Sequence, residues 1–303
     1  MLTTGIERYL ALRRSLGFKL HEASQTLRSF GRFAAARGDT HVKSATAIDW
    51  ATEASSPNAR RVHLQDVVRL ARFLHGEDPA HDVPPMDFFH APKIRPLPYI
   101  YTPEQVAQIV AAAHRLRESY PLRRQTFATL LGFIAVTGLR ASEALNLRLQ
   151  DVSSEGVLQI QNTKFGKSRL IPLHPTVVAV LKRYLAARGR LPVVDDHVFL
   201  SRKGQRIPYS TLRKSFRRIL RLADILPSNR RYPRIHDLRH TFASRALETC
   251  GAQPKIVSRH FVALATYLGH AEIANTYWYL QASPALMADI AATTEALVSK
   301  GGS

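Results

Sequence analysis

The chain of 303 residues carries 43 Lys and Arg against 23 Asp and Glu, a formal net charge of +20, on a composition that is 45% hydrophobic and 22% charged. This length suffices for two domains with cores of their own, and the cation excess points to a polyanionic partner, of which nucleic acid is the commonest. A single cysteine, Cys250, excludes an intramolecular disulfide and a cysteine-based zinc cluster, while the most apolar run, 128–139, is too short to cross a bilayer.

Residues 1–75 read as helices. Ile6, Tyr9 and Leu10 begin one apolar stripe, Leu27, Phe30 and Ala34 another, and Leu64, Val67, Val68, Ala71 and Leu74 recur at helical spacing. The opposite face of that last helix bears Arg61, Arg69 and Arg72. On a chain of this charge it is expected to face DNA phosphates, the alternative being a solvated basic face. Six prolines within 76–102 preclude a continuous helix there and mark a linker, with a boundary near residue 95. The expected layout is a helical DNA-binding domain over 1–95 and a second domain over 96–303. A semi-rigid Pro-rich linker would let the two close on a duplex as a clamp.

Thr102-Pro-Glu-Gln reads as a helix N-cap with Pro at the first helical position. Helices are predicted at 103–119, 123–137 and 141–150. From Gly156 the period becomes two: strands at 157–161 and 168–173 flank Asn162-Thr-Lys-Phe-Gly-Lys167, a β-hairpin with Gly166 in its turn. A helix over 175–188 and a short third strand at 198–200 complete the fold class: mainly α with a small antiparallel sheet. Residues 201–239 hold twelve Lys and Arg against two Asp, half of the net charge in 39 residues. Within them Leu212, Phe216, Ile219 and Leu220 form an inner helix face, and Arg213, Arg217 and Arg221 line an outer one. Like charges in file repel, so this helix too is read as DNA-facing. A tail helix is expected at 284–299, against its own domain or a neighbouring subunit.

Cleaving a phosphodiester requires fixed cations to meet the charge that gathers on the non-bridging oxygens. Arginine suits this because its planar fork never loses its charge and offers parallel donors. Arg140 follows Thr137-Gly-Leu at the end of an apolar helix and opens Arg-Ala-Ser-Glu143; Arg239 stands one helical turn after His236 in His-Asp-Leu-Arg-His240. Downstream come Leu-Gly-His270 and, nine residues later, Tyr279 in Thr-Tyr-Trp-Tyr-Leu. Tyr277 lies two residues earlier and on a helix faces the opposite way. Zinc held by His236 and His240 is the rival reading of those two rings, weakened by the lack of a paired carboxylate motif.

Taken in order, these residues resemble the catalytic set of the tyrosine recombinases, the DNA strand-exchange family that includes phage integrases and the Xer recombinases. The resemblance covers roughly 100–281. It implies that Arg140 and Arg239 clamp the scissile phosphate and that Lys164 of the hairpin protonates the leaving 5′-oxygen, with Lys167 as its decoy. It also implies that His236 acts as general base or orienter, that His270 donates a hydrogen bond to the phosphate, and that Tyr279 is the nucleophile. Glu143 is read as holding Arg140 or a helix end. Neither metal nor cofactor is implied. The implied partners are double-stranded DNA and further copies of the chain, four protomers on two paired sites, and the implied setting is the cytoplasm of a bacterium, at the nucleoid. Tyr-Trp-Tyr-Leu-Gln is similar to recombinases of certain bacterial transposable elements. One departure is the 31 residues from Arg239 to His270, longer than the family's usual spacing, with the extra length expected between Arg245 and His260. A type IB topoisomerase-like relaxase and a non-catalytic DNA-binding protein are the alternatives.

Overall fold

The computed structural model describes residues 2–91, 97–116, 121–161, 168–190, 195–227, 232–249 and 254–269. Lys164, His270, Tyr277, Tyr279 and the tail helix expected at 284–299 lie outside them. The chain divides into two compact units, Met1–Arg95 and Pro96–Ser303.

The first unit contains α1 (Leu2–Ser15), α2 (His21–Ala36), α3 (Ser44–Thr52) and α4 (Pro57–His75). The apolar stripes read from the sequence make its core: Ile6, Leu10, Leu27, Phe30, Leu64, Val67, Val68, Ala71 and Leu74 are all buried. Helix α4 starts where Ser56 accepts the Ala59 N–H and Pro57 supplies a preset φ. The first residues of the Pro-rich stretch do not act as a spacer. The Val42 N–H donates to His81 Nδ1 at 3.0 Å, the Asp82 N–H to the Val42 carbonyl at 2.8 Å, and the Ser44 N–H to Asp82 Oδ2 at 3.0 Å. These bonds fold 81–82 back onto the α2–α3 connection.

The second unit contains α5 (Pro103–His114), α6 (Pro121–Thr137), α7 (Ala141–Asn146), strands β1 (Val157–Ile160) and β2 (Arg169–Pro172), then α8 (Pro175–Arg188), α9 (Tyr209–Leu222), α10 (Ile235–Glu248) and α11 (Pro254–Leu268). Thr102 and Gln105 form the reciprocal capping box at the start of α5. The strands pair antiparallel with Leu158 opposite Ile171, and both of those side chains enter the core. The strand expected at 198–200 does not form. Val198, Phe199 and Leu200 are buried, yet the segment offers only single bridges at either end, His197 to Arg148 and Leu200 to Arg206. The helix expected over 141–150 stops at Asn146, because Leu147 turns extended and its carbonyl takes the Val198 N–H.

Helix α10 is the one on which the second unit is built. Ile235, Leu238, Ala243 and Leu247 bury its apolar side, and the polar Asp237, Arg239, His240, Thr241 and Ser244 are buried with them. Asp237 at the third helical position takes the Arg234 N–H at 2.7 Å, which satisfies an orphan donor at the helix start. The segment entering the unit is tied to this helix as well: the Tyr101 N–H donates to Thr241 Oγ1 at 2.9 Å, and Arg245 donates to the Tyr101 carbonyl at 2.6 Å. The long stretch between Arg239 and His270 is used to pack α11 on α10 through Ala243, Leu247, Phe261, Leu264 and Leu268.

Candidate active site

Three arginines converge on the last turn of α11. Arg169 Nε donates to the Tyr267 carbonyl at 2.7 Å, Arg239 Nη2 to the Leu268 carbonyl at 2.7 Å, and Arg140 Nη2 to the Gly269 carbonyl at 3.0 Å. Carbonyls at a helix C-terminus lack intrahelical partners and carry the negative end of the helix dipole, so guanidinium donors are their natural caps. The consequence is positional. Three consecutive peptide groups, directly before His270 in sequence, are fixed to Arg140, Arg239 and the hairpin strand.

Each arginine arrives by a different route. Arg140 follows Gly138, whose φ of +61° ends α6 and whose missing side chain leaves room for the Phe242 ring. The turn aims the Gly138 carbonyl at Arg239, whose Nη1 donates to it at 2.7 Å. Arg239 is the largest fully buried side chain among the described residues, at 1% exposure. Arg169 enters from the first position of β2. Gly269 has a φ of +66°, and a Cβ there would stand 2.8 Å from Arg169 Nη1. The glycines of Thr-Gly-Leu-Arg and Leu-Gly-His thus serve one purpose, letting a chain reversal come up against an arginine.

Glu143 holds two of the three cations. Its Oε1 accepts from Arg140 Nη1 at 2.7 Å and from Arg169 Nη1 at 3.1 Å, and its Oε2 accepts from Arg169 Nη2 at 2.8 Å and from the Arg140 N–H at 3.0 Å. Burial alone would raise its pKa, but the bonds and charge of Arg169, with the hydrogen bonds of Arg140, outweigh burial and pull it down to about 2. Three guanidinium groups against this one carboxylate leave a surplus of positive charge, which suits an anion.

His236 lies on the first turn of α10, exposed to solvent, with its ring edge-on to His240 at 4.6 Å between centroids. His236 and Arg239 therefore do not share one open face: the histidine is outside and the arginine beneath. Tyr267 is the tyrosine next to the cluster among the described residues. Burial raises its pKa, the wrong direction for an attacking phenolate, and it stacks on Phe242. Of the six residues expected to carry the reaction, Arg140 and Arg239 meet at one turn and His236 stands one helical turn from Arg239; the other three are among those outside the described residues. Arg169 was given no role from sequence. Its signal was available: an arginine opening a strand whose Ile171 points into the core, just after the lysine-bearing stretch 162–167.

The basic faces differ from each other. On α9, Arg213, Arg217 and Arg221 are all exposed, while Leu212, Phe216, Ile219 and Leu220 are buried beneath them. On α4, Arg69 already pairs with Asp66 at 2.7 Å and Arg61 donates to Asn58 and Gln65, whereas Arg72 is exposed near the helix end. No helix among the described residues is long and apolar enough to cross a membrane.

Residues 100–285 match the model of the phage integrase family. The integrase/recombinase-like protein y4rB of Sinorhizobium fredii is 35% identical over 292 residues, covering 93% of each chain. The tyrosine recombinase XerD of Caulobacter vibrioides is 30% identical over 298 residues, covering 94% of this chain and 86% of its own. Among solved structures, the XerH site-specific recombinase in a post-cleavage complex with its palindromic difH substrate superposes with a TM-score of 0.65 at 20% identity, covering 90% of this chain and 78% of that one.

Proposed function

The chain belongs to the phage integrase family and is a site-specific DNA recombinase, and on that footing we propose that it cuts and rejoins DNA through a phosphotyrosine at Tyr279. His236 takes the proton of the Tyr279 phenol, whose oxygen attacks the scissile phosphorus; a 3′-phosphotyrosyl bond forms and the bond to the 5′-oxygen breaks. Lys164 gives its proton to that oxygen, without which the alkoxide is a poor leaving group. The 5′-hydroxyl of a partner strand then gives its proton back to Lys164 and attacks the phosphotyrosine, His236 returns the proton to the freed phenol, and the bond energy is kept for rejoining. Two duplexes cut on both strands need four active sites, so the working assembly is a tetramer on paired sites, with both units of each protomer contacting DNA.

The observation that carries this reading is the convergence of Arg140 and Arg239 on the turn before His270. Arg140, its side chain 27% exposed, meets the phosphate first, and Arg239 completes the clamp as the protein rearranges around DNA. His236, on the open side of α10, orients the nucleophile, and His270 donates to the phosphate. The N-terminal helices contact DNA phosphates through Arg72 and, less strongly, through Arg61 and Arg69, whose guanidinium groups already have partners.

The test begins with covalent capture from a randomised library of nicked duplexes, which yields the preferred sequence as a denaturant-stable complex. Two labelled duplexes of that sequence are then incubated with the protein. Recombinant strands joining the two labels are expected. Relaxation of a supercoiled plasmid lacking the selected sequence, with no joined strands, would favour the topoisomerase-like alternative instead.

The α9 face gives a separate expectation. Replacing Arg213, Arg217 and Arg221 together by Gln should flatten the dependence of log affinity on log salt by about 0.9 for each phosphate no longer neutralised. An unchanged slope would make that face a solvated one.

A further inference from the structure

We propose that Arg169 is a positioning residue for strand transfer, setting the turn that delivers His270 to the phosphate. The inference rests on the roles given to Arg140 and His270 above. Arg169 makes three bonds that no other described residue combines: one to the Tyr267 carbonyl and two to Glu143, which in turn holds Arg140. It therefore joins the hairpin strand, the start of α7 and the end of α11 in one rigid bridge. Its side chain is 10% exposed and that of Glu143 is 7% exposed, so water replaces these bonds poorly.

The geometry at Gly269 shows that the bridge is built in. The guanidinium of Arg169 occupies the space that a Cβ of residue 269 would need, with its Nη1 2.8 Å and its Cζ 3.1 Å from that position. Glycine at 269 thus serves the turn and the arginine together. Lysine at 169 would keep the charge, but a single ammonium on a shorter reach cannot serve Tyr267 and both Glu143 oxygens in one plane. The turn would then be held by Arg140 and Arg239 alone. A displacement of about 1 Å at a group that must meet the transition state costs about 10²-fold in rate.

The experiment compares wild type, Arg169→Lys and Arg169→Ala on the nicked duplex obtained by capture. For Arg169→Lys, single-turnover formation of the covalent complex is expected to fall about 10²-fold, while affinity for the duplex stays close to that of wild type. In the free protein, amide hydrogen exchange of the peptide spanning 266–272 should accelerate. Guanidinium ion at non-denaturing concentration should restore cleavage saturably to Arg169→Ala and leave Tyr279→Phe inactive. Wild-type cleavage and exchange rates in Arg169→Lys would overturn the proposal, as would a loss of cleavage that only follows a lower melting temperature and resists rescue. If the wild type itself forms no covalent complex, the reading of the reaction fails, and the exchange measurement still decides whether Arg169 sets the turn.

Discussion

Arg239→Lys is expected to bind the selected duplex almost as tightly as wild type and to cleave it about 10²- to 10³-fold more slowly. The reason is geometric. Arg239 spans the Gly138 carbonyl at the end of α6 and the Leu268 carbonyl at the end of α11, 2.7 Å from each. Those bonds fix the plane of the guanidinium in the free protein, so the rearrangement around DNA brings an already oriented fork to the phosphate. Lysine retains the charge and hence most of the long-range attraction, but it offers no planar fork, and one ammonium cannot hold both carbonyls while binding two phosphate oxygens. Because Arg239 is buried, a melting curve must accompany the kinetics. Undiminished cleavage in a folded variant would remove Arg239 from the mechanism.

Glu143→Gln is expected to cost about 3 kcal/mol of stability near neutral pH, and the cost should disappear in acid. Against burial, which would raise it, the carboxylate is held at about 2 in the folded protein by the hydrogen bonds and charge of Arg169 and the hydrogen bonds of Arg140. A carboxylate with a depressed folded pKa stabilises above its unfolded value, near 4.3, and loses that contribution as pH falls through the folded one. The wild type should therefore exceed Glu143→Gln by its full margin above about pH 5, and the two should draw together as pH falls toward about 2. Denaturant midpoints taken across that range would show it. A margin that does not change with pH would mean that the ionised carboxylate is not what holds Arg140 and Arg169.

The fold was legible wherever one residue type repeated at the period of its element. The stripe Leu64, Val67, Val68, Ala71 and Leu74 had to be a helix, because only a 3.6-residue repeat gathers those side chains on one face, and all five are buried. The antiparallel strand pair was legible for the same reason at period two, and the Gly166 turn expected between the strands lies outside the described residues. What failed depended on partners remote in sequence. The segment 198–200 has the composition of a strand, but a strand needs a neighbour with a free edge, and 198–200 has only isolated bridges and the Leu147 carbonyl. That same contact draws Leu147 out of helix and cuts α7 short. In the site, Arg140 and Arg239 stood out because each sat beside apolar or helical context that a stray charge would not choose. Arg169 did not, since what distinguishes it is a set of bonds to residues 26 and 98 positions away. Charge patterning has no period that reports such closures.

In the reaction proposed above, the arginines gathered at one turn serve a phenol nine residues beyond His270. The covalent complex formed on the selected nicked duplex, digested with trypsin and nuclease and analysed by mass spectrometry, tests this most directly. The nucleotide should be found on Tyr279, with adduct retained in Tyr277→Phe and lost in Tyr279→Phe. A nucleotide on Tyr277, on Tyr267 or on any residue other than a tyrosine would contradict the account.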